Sequence, residues 1–269
     1  MIAAAQQEHP LTVYASTGKI VQQAKAFSEK YGLKATGVKA DAPQIIEIIS
    51  REAQAKNVRA DVAIVEDTPA AITQLLSKGY VQSWVPDDLK GNVAARYQNP
   101  LTVVLAPNVF AYNTARHTTC PVTNIWQLTH SDNDAASAIS APDGNADFVG
   151  LVSTAKFRDN QQGMKLGLCN GLKPFIGWNY PSLGVISTGS HSPNAAKLFI
   201  HYLLTAEGIG PQSVDGKMST NQTVSLPANE AYGIEKYRSE LMEYLTDTAK
   251  EDWKSRQDWQ DIWSLNYKK

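Results

Sequence analysis

Two short polar stretches carry the groups best suited to hold a small molecule, Ser16-Thr17-Gly18 and Glu66-Asp67-Thr68. Each follows an apolar run of strand length and precedes a helical pattern. The first sets two hydroxyls and a glycine at a helix start. Unpaired amides and the positive dipole end there suit an anion, and glycine permits close approach. The simpler alternative is that Ser16 or Thr17 caps the helix. Gly18-Lys19 is not a nucleotide-hydrolysing loop. Val13 stands where the G-x-x-x-x-G-K-[ST] pattern needs its first glycine, and Ile20 follows the lysine. In the second stretch Glu66 and Asp67 are neighbours, and neighbouring side chains point different ways. A general acid–base pair needs a defined separation and one raised pKa. Acceptance of hydrogen bonds from ligand hydroxyls suits these carboxylates better, and capping of the Pro69 helix by Asp67 or Thr68 is the simpler alternative.

A third cluster, His130-Ser131-Asp132-Asn133-Asp134, reads either as a ligand-binding segment or as a solvated loop with a helix cap at Asp132 or Asp134. It belongs to no G-x-S-x-G nucleophile motif, and it lacks the glycine and later glutamate of a calcium loop. Trp178, Asn179 and Tyr180 lie between Gly177 and Pro181. They are core packing, or a flat apolar platform beside an amide donor that suits a sugar. His9, His117, His130, His191 and His201 show no paired spacing, and the cysteines form no CxxC. No protein-only metal site is expected, and no cofactor is implied.

The elements that must position these groups follow from periodicity. Leu11–Tyr14 reads as a strand, and Ile20, Val21, Ala24, Phe27 and Tyr31 then recur at helical spacing up to Gly32. A strand over Lys34–Val38, a helix from Ala42, a strand over Ala60–Val65 and a helix over Ala70–Ser77 follow. That β-α-β-α-β-α order predicts a parallel sheet with helices on both faces. Ligands bind beyond the carboxyl ends of such strands, where both polar stretches fall. Leu101–Ala106 and Val109–Asn113 read as strand passing from one lobe to another. Ala135–Ala138 is expected to be helical, and Phe148–Val152 and Leu183–Ile186 are expected strands. Ser192 is expected to cap a helix that begins at Pro193 and ends at Gly208, and the tail from Asn229 to Tyr267 is mostly helical in pattern.

The chain has 269 residues, 43% of them apolar, which is ample for a buried core in one or two domains. A formal net charge of −1 provides no basic field, so nucleic acid is not an expected partner. No run of about 18 apolar residues is present to span a bilayer. The opening MIAAAQQEHP sets Ala3-Ala4-Ala5 before polar residues, like the end of a secretory signal. The basic region and most of the apolar region of such a signal are missing. It reads as a trimmed leader behind a start Met, or simply as a small-residue terminus. Cys120 and Cys169 are two free thiols of a reducing compartment or one disulfide of an exported protein, and the N-terminal pattern favours the disulfide.

Taken together, LTVYASTGK, ADVAIVED, VFAYNT, CPVTNIWQLT, KFRDNQQGMKLGLCNGLKPFIGWNYPSLGVIS and HSPNAAKLFIHYLLTAEGI make the chain resemble the type II periplasmic solute-binding proteins of ABC importers. The branch it resembles is the one associated with ferric ion or hexose phosphate (AfuA-like). The resemblance implies two α/β lobes, each a mostly parallel sheet flanked by helices, joined by crossing strands and closing like a clamp. Residues 8–102 plus 187–228 would form one lobe, and 103–186 plus 229–269 the other. It also implies a monomer secreted to the periplasm that captures a small anion and delivers it to an inner-membrane ABC permease. Iron-binding members use adjacent tyrosines in the second lobe, whereas this chain has Trp178-Asn179-Tyr180-Pro181 there. The hexose-phosphate branch instead implies phosphate at Ser16, Thr17 and Gly18, with Glu66, His130, Ser131 and Asp132 as polar contacts. Asp67, Thr68, Tyr112, Trp178, Asn179 and Tyr180 complete the candidate set. One departure is that family members carry a longer second lobe after the WQLT motif. Here Thr129 runs straight into His130, so a reduced second lobe is expected. Three rivals remain: a ferric or other metal-anion binder of the same fold, an enzyme acting on a phosphorylated small molecule, and a pure interaction module. The lack of a matched nucleophile and base argues against the enzyme.

Overall fold

The computed structural model describes residues 1–130, 147–174 and 176–243, without the side chains of Thr129, His130 and Glu243. The helix expected over 135–138 and the tail beyond 243 lie outside the described residues. The junction at Thr129–His130, on which the expected shortening rests, adjoins them.

Strand β1 (Leu11–Ala15) buries Leu11, Val13 and Ala15 at every second position. It leads into α2 (Lys19–Tyr31), after the short α1 (Ile2–Ala5), and α2 buries Ile20, Gln23, Ala24 and Phe27. Gly32 ends α2 at φ 63°, a left-handed conformation that glycine adopts without steric cost. Then follow β2 (Ala35–Lys39), α3 (Ala42–Gln54) and β3 (Val62–Val65). Helix α3 opens with a reciprocal cap: the Gln44 amide donates to Asp41 Oδ1 at 2.9 Å, and the Asp41 amide to Gln44 Oε1 at 3.1 Å. Helix α4 (Thr68–Ala70) continues as π-helical turns over Ala71–Leu76.

The remaining strands are β4 (Val81–Gln82), β5 (Thr102–Asn113), β6 (Val149–Ser153), β7 (Leu166–Leu168), β8 (Gly177–Ser187) and β9 (Met218–Ser219). They join one nine-stranded sheet in the order β2-β1-β3-β8-β5-β6, with β4 on β8 and with β7 and β9 on β5. Strand β1 pairs in parallel with β2 and β3, as the alternating pattern required. From β3 onward every pairing is antiparallel, so the expectation of mostly parallel sheets holds only for the first three strands. The physical reason is that β8 returns directly alongside both β3 and β5, with no parallel crossover between them. The aromatic segment at 177–181 is the first half of β8 itself.

Helices cover both faces of the parallel half. Val13, Ala15, Val62 and Ile64 share a core with Ile20 and Phe27 of α2 and with α5 (Pro193–Leu203). Ala63 and Val65 face Ile45, Ile46 and Ile49 of α3 and Leu75 on the other side. Phe27 packs on Phe199 with ring centroids 5.0 Å apart, tying α2 to α5.

Two expectations about α5 are corrected. Ser192 does not cap it, because its hydroxyl donates to the carbonyl of His9. Glu8 takes the capping role, accepting from the Asn194 amide at 3.0 Å and the Ala195 amide at 2.8 Å. Gly208 does not end α5; it lies inside α6 (Ala206–Ser213), which Thr205 caps. A Cβ at Gly208 would fall 1.9 Å from the Tyr202 carbonyl oxygen, so the glycine allows the two helices to meet at that turn. Helices α7 (Pro227–Ala231) and α8 (Arg238–Glu243) close the described chain. Cys120 and Cys169 form a disulfide with a Cα–Cα distance of 5.0 Å, as the sequence favoured. No helix among the described residues is long and apolar enough to cross a membrane.

Candidate ligand-binding site at the carboxyl edge of the parallel strands

Ala15 and Ile64 are register partners in parallel strands, so Ser16 and Glu66 leave the sheet at the same edge. Ser16 lies near enough to Glu66 for its hydroxyl to favour the charged carboxylate. Lys217, from the loop between α6 and β9, places Nζ 2.8 Å from Glu66 Oε1. Burial pushes the Glu66 carboxyl up. The Lys217 charge, its hydrogen bond and the Ser16 hydroxyl outweigh that effect and hold the group below the ordinary glutamate range. Glu66 is therefore an anion at neutral pH, already paired with a cation.

Lys217 sits on a braced backbone. Asn229 Nδ2 donates to its carbonyl at 3.1 Å, and Met218 beside it pairs with Leu105 of β5. The preceding Gly216 has φ 69°, and a Cβ there would fall 2.6 Å from Thr154 and Ala155. The Thr154 hydroxyl lies 2.9 Å from the Gly216 carbonyl and 3.1 Å from that of Pro107, pinning the loop to β5.

At the start of α2 the N-cap is Gly18 and no side chain caps it, so neither Ser16 nor Thr17 takes the capping role the sequence offered. Thr17 Oγ1 accepts from the Lys19 amide at 3.2 Å, a local hydroxyl turn. The Ile20 and Val21 amides donate to the carbonyls of Thr17 and Gly18 at 3.3 Å each. Among the described residues, the amides of Thr17 and Gly18 donate to no protein acceptor, and Gly18 is exposed. The aliphatic stem of Lys39, at the end of β2, lies 3.9 Å from where a Gly18 Cβ would be. Lys39 thus lies beside a helix start that retains open amides.

The other candidates divide. Asp67 accepts from the Ala70 amide at 3.1 Å, the capping alternative. Thr68 is buried and donates to the Pro181 carbonyl at 3.0 Å, fastening the β3–α4 turn to β8. Trp178 packs edge-on against Phe110 with centroids 6.2 Å apart. Asn179 is buried, its Nδ2 donating to the Leu241 carbonyl while its Oδ1 has no partner among the described residues. Tyr180 is exposed. Tyr112 is buried, its hydroxyl 3.4 Å from the Thr118 carbonyl. It lies roughly 30 Å along β5 from Thr102, whose partner Leu183 pairs with Val65 next to Glu66. Tyr112 is therefore not gathered with Ser16 and Glu66. The backbone of His130 ends a 3₁₀ helix (Ile125–His130), while its side chain, Ser131 and Asp132 lie outside the described residues. Among the described residues no three His, Cys, Asp or Glu side chains gather to hold a metal.

Sequence reasoning missed Lys217 and Lys39. Lys217 follows a turn glycine far from either polar stretch, and only the tertiary fold brings it to Glu66. Three concavities of 270, 290 and 300 Å³ lie at the opposite, amino edge of the strands, around Asp61, His191 and Arg59.

A nine-stranded sheet with three parallel strands, helices on both of their faces and two long strands crossing into an antiparallel half defines the fold of the type II periplasmic binding proteins. Solved structures carry the same fold. The Trichodesmium protein IdiA/FutA, in complex with iron and citrate, is 15% identical over 83% of this chain and 90% of its own, with a TM-score of 0.63. The periplasmic binding protein AfuA of Actinobacillus pleuropneumoniae, with fructose 6-phosphate bound, is 19% identical over 87% and 98%, with a TM-score of 0.56. A Bordetella ferric binding protein is 14% identical over 86% and 96%, with a TM-score of 0.62. No protein-family model and no curated protein sequence matches the chain. At these identities the likeness establishes the fold.

Proposed function

We propose that this chain is the solute-binding component of an ABC importer. In this reading it captures a small phosphorylated sugar between two lobes, in the periplasm, and hands it to an inner-membrane permease. The observation that carries the reading is that Ser16, at the α2 start, and Glu66 leave β1 and β3 at one carboxyl edge, with the Lys217 ammonium on Glu66. Open amides and an ammonium suit phosphate, and a carboxylate suits sugar hydroxyls. Residues 8–102 with 187–228 form one lobe in this reading, and 103–186 with 229–269 the other, hinged where β5 and β8 run together. The disulfide fits an oxidising compartment. The reading assigns no catalytic step, and the chain works as a monomer.

Three or four charge-assisted hydrogen bonds contribute roughly 1.5–3 kcal/mol each. Only at the upper end of that range, less the smallest cost of immobilising the solute, do they reach about −8 kcal/mol, or micromolar affinity. Calorimetry with glucose 6-phosphate and with glucose tests the reading. Binding of the phosphate ester alone is expected, and equal heats for the two would refute it. Ferric ion with a synergistic anion is expected to give no charge-transfer colour, since of Trp178, Asn179 and Tyr180 only the last offers a phenol. A strong purple-red band would favour the iron-binding neighbours as the functional guide.

A further inference from the structure

We propose that Lys217 is the residue that selects the solute's anionic group, and that Glu66 is a built-in competitor which the solute must displace from it. This inference rests on the sugar-phosphate reading and narrows the solute to a molecule bearing both a negative group and neighbouring hydroxyls.

The argument starts from which partner of the ion pair is fixed. The Lys217 side chain is 15% exposed and that of Glu66 41%. Around Lys217 the backbone is held by the Asn229 amide, the Thr154 hydroxyl on Gly216 and the ladder to Leu105. The loop is tied further by Arg158, whose Nη1 lies 3.7 Å from Asp215 Oδ1. Lys217 is therefore the anchored cation and Glu66 the more accessible, movable anion. In the ligand-free chain Glu66 occupies the position on Lys217 that a solute anion would take.

Exchange is favourable for only one kind of solute. A bare inorganic anion that takes Lys217 leaves the Glu66 carboxylate without its cation, facing a second negative charge. A neutral sugar offers Glu66 hydroxyls but gives Lys217 no better acceptor than it already has. A phosphorylated sugar supplies both halves of the exchange. Its phosphate meets Lys217 and the open amides of Thr17 and Gly18, and its hydroxyls donate to the released Glu66, whose side chain is 41% exposed. Discrimination thus comes from a repulsive element as well as an attractive one. Ser16 and Glu66 leave the parallel strands at one edge, and Lys217 reaches Glu66 there, so the exchange takes place at the edge where α2 begins.

Calorimetry with glucose 6-phosphate and with inorganic phosphate, on the wild-type chain and three variants, tests this. The wild type is expected to bind the sugar phosphate and not inorganic phosphate. Lys217→Gln is expected to weaken the sugar phosphate by about 30-fold or more, the range of one or two charge-assisted bonds. Lys217→Arg, which keeps the charge and guards against a folding artefact, is expected to retain most of the affinity. Glu66→Gln is expected to act in opposite directions, weakening the sugar phosphate and producing measurable binding of inorganic phosphate. Sugar-phosphate binding that survives Lys217→Gln unchanged overturns the assignment. A Glu66→Gln chain that still binds no inorganic phosphate, or that binds the sugar phosphate as well as the wild type or better, overturns the competitor role. A wild-type chain that binds no sugar phosphate overturns the underlying reading itself, and so is distinguishable from either result.

Discussion

Gly37→Ala is a sharp perturbation because it lies outside the site and acts on it through one contact. Gly37 is in the middle of β2, and a Cβ there would fall 2.3 Å from the Ile20 carbonyl oxygen, 2.6 Å from its carbon and 2.9 Å from the Val21 amide. All three are backbone atoms of the first turn of α2, so no side chain can swing aside. Ordinary contact begins at 3.4 Å, so the start of α2 must move by about 1 Å or β2 must bend away. Overpacking of this kind costs roughly 1–3 kcal/mol. For a chain of this size that lowers Tm by roughly 2–10 °C. The same shift carries the Thr17 and Gly18 amides out of hydrogen-bond range of a phosphate seated against Lys217. Losing one or two such bonds weakens binding by about tenfold or more. Thermal melts by circular dichroism and calorimetry with glucose 6-phosphate read the two effects. Gly91→Ala, where an added Cβ meets nothing within 4 Å, serves as the control. A Gly37→Ala chain that melts and binds like the wild type would refute the packing argument and the role of the helix start together.

Other perturbations have expected outcomes of their own. Glu8→Ala removes the acceptor of the Asn194 and Ala195 amides at the start of α5 and is expected to lower Tm by roughly 2–8 °C, whereas an unchanged melt would show that water replaces it without cost. Reduction of Cys120–Cys169 opens a cross-link spanning 49 residues and is expected to cost about 4 kcal/mol on the loop-entropy model, so equal denaturation midpoints with and without reductant would contradict it. Glu66 is held below its ordinary value of 4.5 in the folded chain, so its contribution to stability is present above that pH and is lost as pH falls through the lower folded value. The stability difference between the wild type and Glu66→Gln should therefore shrink under acid titration from pH 7, and a difference that grows on acidification would reverse the assigned sign.

Local chemistry made the first third of the fold legible. The alternation of Leu11, Val13 and Ala15, the helical stripe from Ile20 to Phe27 and the stop at Gly32 each have one strong local cause. The antiparallel half was less readable, because nothing local in Gly177–Ser187 says that an aromatic segment and a return strand are one continuous β8. Ser192 and Gly208 misled for a related reason. Each has a local preference for a helix boundary, but Glu8, distant in sequence, outcompetes the Ser192 hydroxyl, and the turn at Thr205 starts a new helix before Gly208 is reached. Ser16 and Glu66 were legible as candidates because parallel strands bring their carboxyl ends to one edge. Lys217 was not, since its pairing with Glu66 spans 151 positions and no motif records it. Asp67 and Thr68 show the converse: polar residues at the right edge whose groups are already engaged in holding the turn.

The most direct measurement is the backbone amide resonance of Gly18 in the ¹⁵N-labelled chain during titration with glucose 6-phosphate. The account predicts a large downfield shift of Gly18, with Thr17 following, that saturates at micromolar ligand and is absent with glucose. Saturable binding that leaves Gly18 and Thr17 unmoved and shifts resonances elsewhere would contradict it.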